Sequence, residues 1–168
     1  MIHTYLLQPG IWTGNGTFWR EDGELLPAEC RTEVAHQDEC WLVAGSLKVL
    51  GSPPVEFRNA YSIEPPAKKG GCLRWTSENA TLGKVQGTFS VLERCILSVY
   101  SCGAAGYHGA EHYGRVDADH YQASGVLLLE ARRLSSWEIL LTREPAPATG
   151  SSADSDRAAA PRTATSDS

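Results

Sequence analysis

The sequence predicts an all-β protein, a single up-and-down antiparallel β-barrel of about 8–10 strands. Three observations lead there. Runs of period-2 alternation recur between short turn signals over residues 1–144. No long segment carries helical periodicity. The runs are too short, and too directly connected, to build two large packed sheets. An open sandwich is the structural alternative.

The elements follow in chain order. The first strand, 11–20, places Trp12, Gly14, Gly16 and Phe18 on one face and ends at Glu21-Asp22-Gly23-Glu24. Strand 29–36 stops at Gln37-Asp38-Glu39, and 41–50 at Gly51-Ser52-Pro53-Pro54. Strand 55–63 leads into the Pro- and Gly-rich stretch 65–71, followed by strands 72–77 and 83–92. Glu93-Arg94 separates the latter from 95–101, and Gly103-Ala104-Ala105-Gly106 precedes 109–116. Asp117-Ala118-Asp119 then turns the chain into 121–129, and 135–143 is the last strand. Helix is expected at most in a short piece before Gly10 or over 78–82. From Pro145 the composition changes: residues 145–168 hold no aromatic residue and no Leu, Ile or Val. Such a segment buries too little apolar surface to offset its ordering entropy, so 145–168 is expected to be a disordered Ala/Ser/Pro-rich tail behind a 1–144 barrel domain.

Charge and composition exclude several classes of function. Fifteen Lys and Arg against 20 Asp and Glu give a net charge of −5, with no basic run. Phosphate binding needs clustered cations, so a nucleic-acid partner is not expected. No apolar stretch approaches the roughly 18 residues of a membrane-spanning helix. The first residues lack the regions of a signal peptide, and the five cysteines are odd in number and scattered. A cytoplasmic location without a disulfide framework is the expectation. Oligomeric state leaves no signal.

The first strand begins Gly10-Ile11-Trp12-Thr13-Gly14-Asn15-Gly16-Thr17-Phe18, and the last reads Ser135-Ser136-Trp137-Glu138-Ile139-Leu140-Leu141-Thr142-Arg143. First and last strands meet in a closed barrel, so Arg143 is expected over the Trp12 ring as a cation–π lid. Gly10-x-Trp12 with a late Arg143 resembles the calycin superfamily of lipocalins and fatty-acid-binding proteins, where such residues close the barrel floor. The longer Gly10-x-Trp12-x-Gly14-x-Gly16 opening is similar to that of nitrobindins, ten-stranded barrels that hold haem. The nitrobindin resemblance implies a haem-ligating histidine near the last strand, but no histidine follows His120. Trp12-x-Gly14, Glu21-Asp22-Gly23-Glu24-Leu25 and Trp137…Leu141-Thr142-Arg143 also resemble small bacterial lipocalin-like barrels related to bilin lyases. The resemblance implies a hydrophobic or amphipathic ligand inside the barrel, a pigment or tetrapyrrole among the options.

The densest polar stretch is 107–121. On a strand, Tyr107, Gly109, Glu111, Tyr113 and Arg115 share one face, and His108, Ala110, His112 and Gly114 the other. If the first face is inward, Glu111 and Tyr113 can orient a ligand head or exchange a proton with it, with Arg115 as counter-charge. Eleven of 14 aromatic residues are Tyr or Trp, which carry a polar handle. Tyr61, Trp75, Tyr100 and Trp137 fall mid-strand as pocket walls. No metal is expected: His108 and His112 on one strand face lie about 13 Å apart, and no Cys-x-x-Cys occurs. Gly-x-Ser-x-Gly, a third glycine after Gly14-x-Gly16 and a phosphate loop are also missing, and no cofactor is assigned. Three functions remain: a binding module, an enzyme such as an isomerase, cyclase or bilin lyase using Glu111 and Tyr113 as acid and base, and a filled structural barrel. The size of the internal cavity separates the first two from the third.

Overall fold

A computed structural model describes residues 3–65, 72–79, 82–103 and 106–145. The strands are β1 (Gly10–Arg20), β2 (Leu25–His36), β3 (Trp41–Val49), β4 (Val55–Ile63) and β5 (Leu73–Asn79). They continue as β6 (Gly83–Val91), β7 (Cys95–Cys102), β8 (Tyr107–Arg115), β9 (His120–Leu129) and β10 (Arg132–Arg143). Each pairs antiparallel with its neighbours in sequence, and β1 pairs with β10, so the sheet closes into a barrel. The expected tail lies, from residue 146 on, outside the described residues.

The strands run where alternation and turns place them, with corrections of two or more residues at four ends, one of them β8, which starts at Tyr107 rather than 109. β2 starts at Leu25, four residues early, and takes in Pro27. A proline argues against a central strand, but here only its carbonyl is used, accepting from Leu50 N–H at 2.8 Å. β10 starts at Arg132, and its register against β9 shifts between Arg133 and Ser135, a bulge that breaks the alternation. Glu78 and Asn79 extend β5 rather than starting a helix. Before Gly10 the chain makes turns instead of a helix, with Gln8 N–H donating to the Thr4 carbonyl at 3.0 Å.

Strand β1 carries the closure. Trp12 lies opposite Arg143 on one side and Thr32 on the other. Its ring is fully buried, and the Arg143 guanidinium carbon sits 5.8 Å from the ring centroid, within cation–π reach. The expected lid is present, but it is one part of a larger closure. Residues 3–9 fold under this end as a plug, with His3, Thr4, Tyr5 and Leu6 all buried. Tyr5 and Tyr121 each meet Trp12 edge-on at 5.4 Å. His3 Nε2 donates to the Leu92 carbonyl at 2.8 Å, so Nδ1 accepts the Tyr121 hydroxyl at 3.0 Å, and Thr4 N–H donates to the same oxygen. His36 donates to the Leu6 carbonyl, and Arg143 to the Pro9 carbonyl and Gln8. Leu6 holds φ of 64°, an uncommon conformation for a non-glycine residue.

The opposite end holds a second buried cluster, Phe18, Ala28 and Val49, with Leu26, Leu47 and Trp137 packed on it. Phe57 belongs to the inward set of β4 by register, opposite Leu47, yet is 44% exposed and stacks on Phe18. Between these ends run the buried residues of the main core, including Ile63, Phe89, Ile96, Ala123 and Ile139.

Candidate functional site

The inward face of β8 is the one with Glu111 and Tyr113. Glu111 stands opposite Ser98 of β7 and Gly125 of β9, and Tyr113 opposite Ile96 and Ala123. Alternation fixes this: once Gly109 is buried against the interior, every second residue follows it. His108 and His112 fall on the outer face. No group of three His, Cys, Asp or Glu side chains among the described residues is placed to hold a metal ion.

Ten strands make a wider tube than the eight whose interior is just filled by side chains, and here a void remains. The cavity measures about 100 Å³ and lies between β2, β3 and β4 on one side and β8, β9 and β10 on the other. Glu111, Tyr113, Tyr61 and Trp137 line it, as do Tyr5 of the plug, Cys30, Thr32 and Asn59. Glu111 is the single carboxylate in this lining, and no Lys, Arg or His belongs to it. The Tyr113 hydroxyl donates to Glu111 Oε2 at 3.0 Å. Ser98 Oγ lies close enough to favour the charged carboxylate but outside hydrogen-bond geometry, and it is buried without a partner. Burial outweighs both hydroxyls and pushes the Glu111 carboxyl above its ordinary range.

The tyrosines register the same charge. Burial first, then the Glu111 charge, raises the hydroxyls of Tyr113, Tyr61, Tyr5 and Tyr100. None of them is a base near neutral pH. Burial also pushes the Cys30 thiol up to about 11, so it stands in the wall as a thiol and not a nucleophile.

The remaining expected site residues are placed differently. Arg115 ends β8 and turns out, its Nε donating to the Asp117 carbonyl at 3.0 Å, so it gives Glu111 no counter-charge. Trp75 and Tyr100 do face inward, but neither lines the cavity. Trp75 lies over Gly87 and Tyr100 over Gly109, where a Cβ would run into the ring, and the two rings pack 6.0 Å apart. Trp137 does both: it covers Gly125 and lines the cavity. Large rings laid over glycines of the next strand hold a sheet together where glycine would otherwise weaken it.

Sequence reasoning missed Tyr5, Cys30, Thr32 and Asn59. Cys30 and Thr32 share the parity of Val34 in β2, and Asn59 that of Tyr61 in β4, so alternation carries the signal for three of them. Tyr5 sits in a plug with no periodicity and left none.

No family model matches the chain, and no curated protein matches it. Among solved structures, the crystal structure of Rv2717c from M. tuberculosis superposes with a TM-score of 0.58 at 15% identity, covering 84% of this chain and 97% of that one. NE1406 from Nitrosomonas europaea superposes only loosely, with a TM-score of 0.31 and 11% identity over 84% of this chain and 52% of that one. The likeness to Rv2717c is one of fold. A closed ten-strand antiparallel barrel is consistent with a calycin-like architecture.

Proposed function

We propose that this barrel is a binding module for a compact small molecule, with the ligand head on Glu111 and Tyr113 and its body among Tyr61, Trp137 and Ile139. The observation that carries this reading is the Glu111 carboxyl, facing a void with one hydroxyl donor and no positive charge in its lining. A carboxyl withdrawn from water costs stability unless its lone pairs are met, and a ligand donor meets them. A packed structural barrel has no use for such a group. The cavity of about 100 Å³ is below the roughly 300–1,000 Å³ of drug-sized sites. The ligand we propose is therefore smaller than the pigment or tetrapyrrole the family resemblance implies. The floor pairing of Trp12 with Arg143 supports placing the barrel among the calycins. Five free cysteines suit a reducing compartment such as the cytoplasm.

The test is a nitrogen-15 chemical-shift titration of the full chain with n-butylamine, isobutanol, imidazole and phenol, one at a time. Saturable shifts at the Trp137 indole N–H and Gly125 amide, lost in a cavity-filling Ala123→Leu variant that stays folded, are the expected result. No saturable shift from any of the four overturns the reading.

A raised carboxyl within hydrogen-bond reach of a tyrosine also suits proton transfer, which favours a second reading: an enzyme on the same barrel, of the isomerase, cyclase or bilin-lyase-like kind. A Glu111→Gln variant that keeps ligand affinity but loses turnover would select it.

A further inference from the structure

The wall of the cavity is unusually one-sided in charge and chemistry. Four aromatic side chains line it, Tyr5, Tyr61, Tyr113 and Trp137, together with one carboxylate, and nothing cationic. Aromatic faces carry negative quadrupole charge, and a ring cage is a recognised receptor for ammonium groups. Ionised Glu111 adds negative charge to that field, and after burial its charge also holds the hydroxyls of Tyr5, Tyr61 and Tyr113 further from ionising. The one cation of the inward β8 face, Arg115, is drawn off to the Asp117 carbonyl. A buried carboxylate that meets a hydroxyl but no cation in its cavity calls for a positive charge more than for another neutral donor. The size agrees: about 100 Å³ lies under the roughly 150 Å³ of an apolar cavity that takes benzene.

We infer that the cavity selects a small monovalent organic cation of about four to six heavy atoms, an alkylammonium or methylated ammonium, held between Glu111 and the rings of Tyr5, Tyr61, Tyr113 and Trp137. This rests on the reading of the cavity as a binding site and names the class of ligand. Anions are repelled by Glu111, and neutral isosteres leave it without a counter-charge.

The experiment compares tert-butylammonium with tert-butanol, which share size and shape and differ in charge, by chemical-shift titration of the full chain at pH 8. Tetramethylammonium, which cannot donate an N–H bond, is the third probe. The expected result is affinity at least tenfold higher for both cations than for tert-butanol. Glu111→Gln should cut cation affinity about tenfold and leave tert-butanol unchanged. Tyr61→Leu should weaken tetramethylammonium several-fold where Tyr61→Phe does not, a comparison that holds even if the Glu111 variant fails to fold. Equal binding of tert-butanol and tert-butylammonium, or tert-butanol alone, overturns the cation inference and leaves the cavity reading standing. Absence of cavity shifts with all three probes overturns the cavity reading and this inference with it.

Discussion

Gly16 should be the least replaceable glycine of the opening motif, and Gly16→Ala against Gly10→Ala tests why. A Cβ built on Gly16 would fall inside the van der Waals sphere of the Glu138 carbonyl oxygen, 2.7 Å from Ile139 Cα and 2.8 Å from the Glu138 carbonyl carbon. All three are backbone atoms of β10, directly across the closure, so no rotamer change relieves the clash. To restore ordinary contact near 3.4 Å with the Glu138 oxygen, β1 and β10 must part by more than an ångström at their pairing. That overpacks the wall, at about 1–3 kcal/mol, and weakens one or two ladder hydrogen bonds at about 1 kcal/mol each. The expected loss is about 3–5 kcal/mol, a large part of the ~5–15 kcal/mol of a typical domain. At Gly10 the Cβ would meet only the Arg143 side chain, with Nε at 3.1 Å, which can swing aside. Gly10→Ala should change stability by less than about 1 kcal/mol, since Ala also lowers the entropy of the unfolded chain. Urea denaturation followed by tryptophan fluorescence measures both, provided the m-value is unchanged. Unfolding of Gly16→Ala within about 1 kcal/mol of the parent, or equal damage in the two variants, would refute a steric cost at Gly16.

Three other outcomes are expected. Trp12→Ala removes a fully buried ring together with its edge contacts to Tyr5 and Tyr121 and should cost about 3–5 kcal/mol by the same assay; a loss below 1 kcal/mol would mean the plug collapses into the gap. Glu111→Gln should raise the melting temperature at pH 7. The folded state holds the Glu111 proton more tightly than the unfolded chain does, so stability falls as pH rises past the ordinary glutamate value near 4.3. The variant should escape that fall and match the parent below about pH 4, and a parent more stable than the variant at pH 7 contradicts the sign. Truncation after Glu144 should leave the melting temperature unchanged, as the composition of 145–168 implies; a drop of several degrees would show that the segment contributes to the barrel.

Alternation made most of the wall legible. The parity of 107–115 grouped Glu111 with Tyr113 because a strand leaves only two sides, without saying which side is inward, and the Trp12 and Arg143 positions pointed to the strands that meet. What stayed hidden has local causes. Arg115 shares the parity of Glu111, but a long side chain at a strand end follows its nearest acceptor, and parity cannot report that. Trp75 and Tyr100 read as pocket walls because their glycine partners, Gly87 and Gly109, lie 12 and 9 residues away in the chain, and only register pairs them. Tyr5 was invisible because residues 3–6 are buried through ring contacts and hydrogen bonds to distant strands and not through any repeating pattern. Pro27 and the bulge at Arg133 each suppressed the start of a strand by interrupting the signal on which strand boundaries rest.

The pairing order has a consequence for how the molecule is made. Every ladder but one joins strands adjacent in sequence, and such local hairpins form early. The exception joins 12–20 to 135–143, near opposite ends of the barrel sequence. Until β10 arrives, β1 and β9 each present an unpaired edge, with Leu25, Leu97 and Val99 among the exposed apolar residues on the hairpins between them. A nascent chain therefore carries two sticky borders through most of its synthesis and loses both at once, when one strand docks. Slow completion of that last strand, more than any weakness of the finished barrel, is where this sequence is exposed to aggregation.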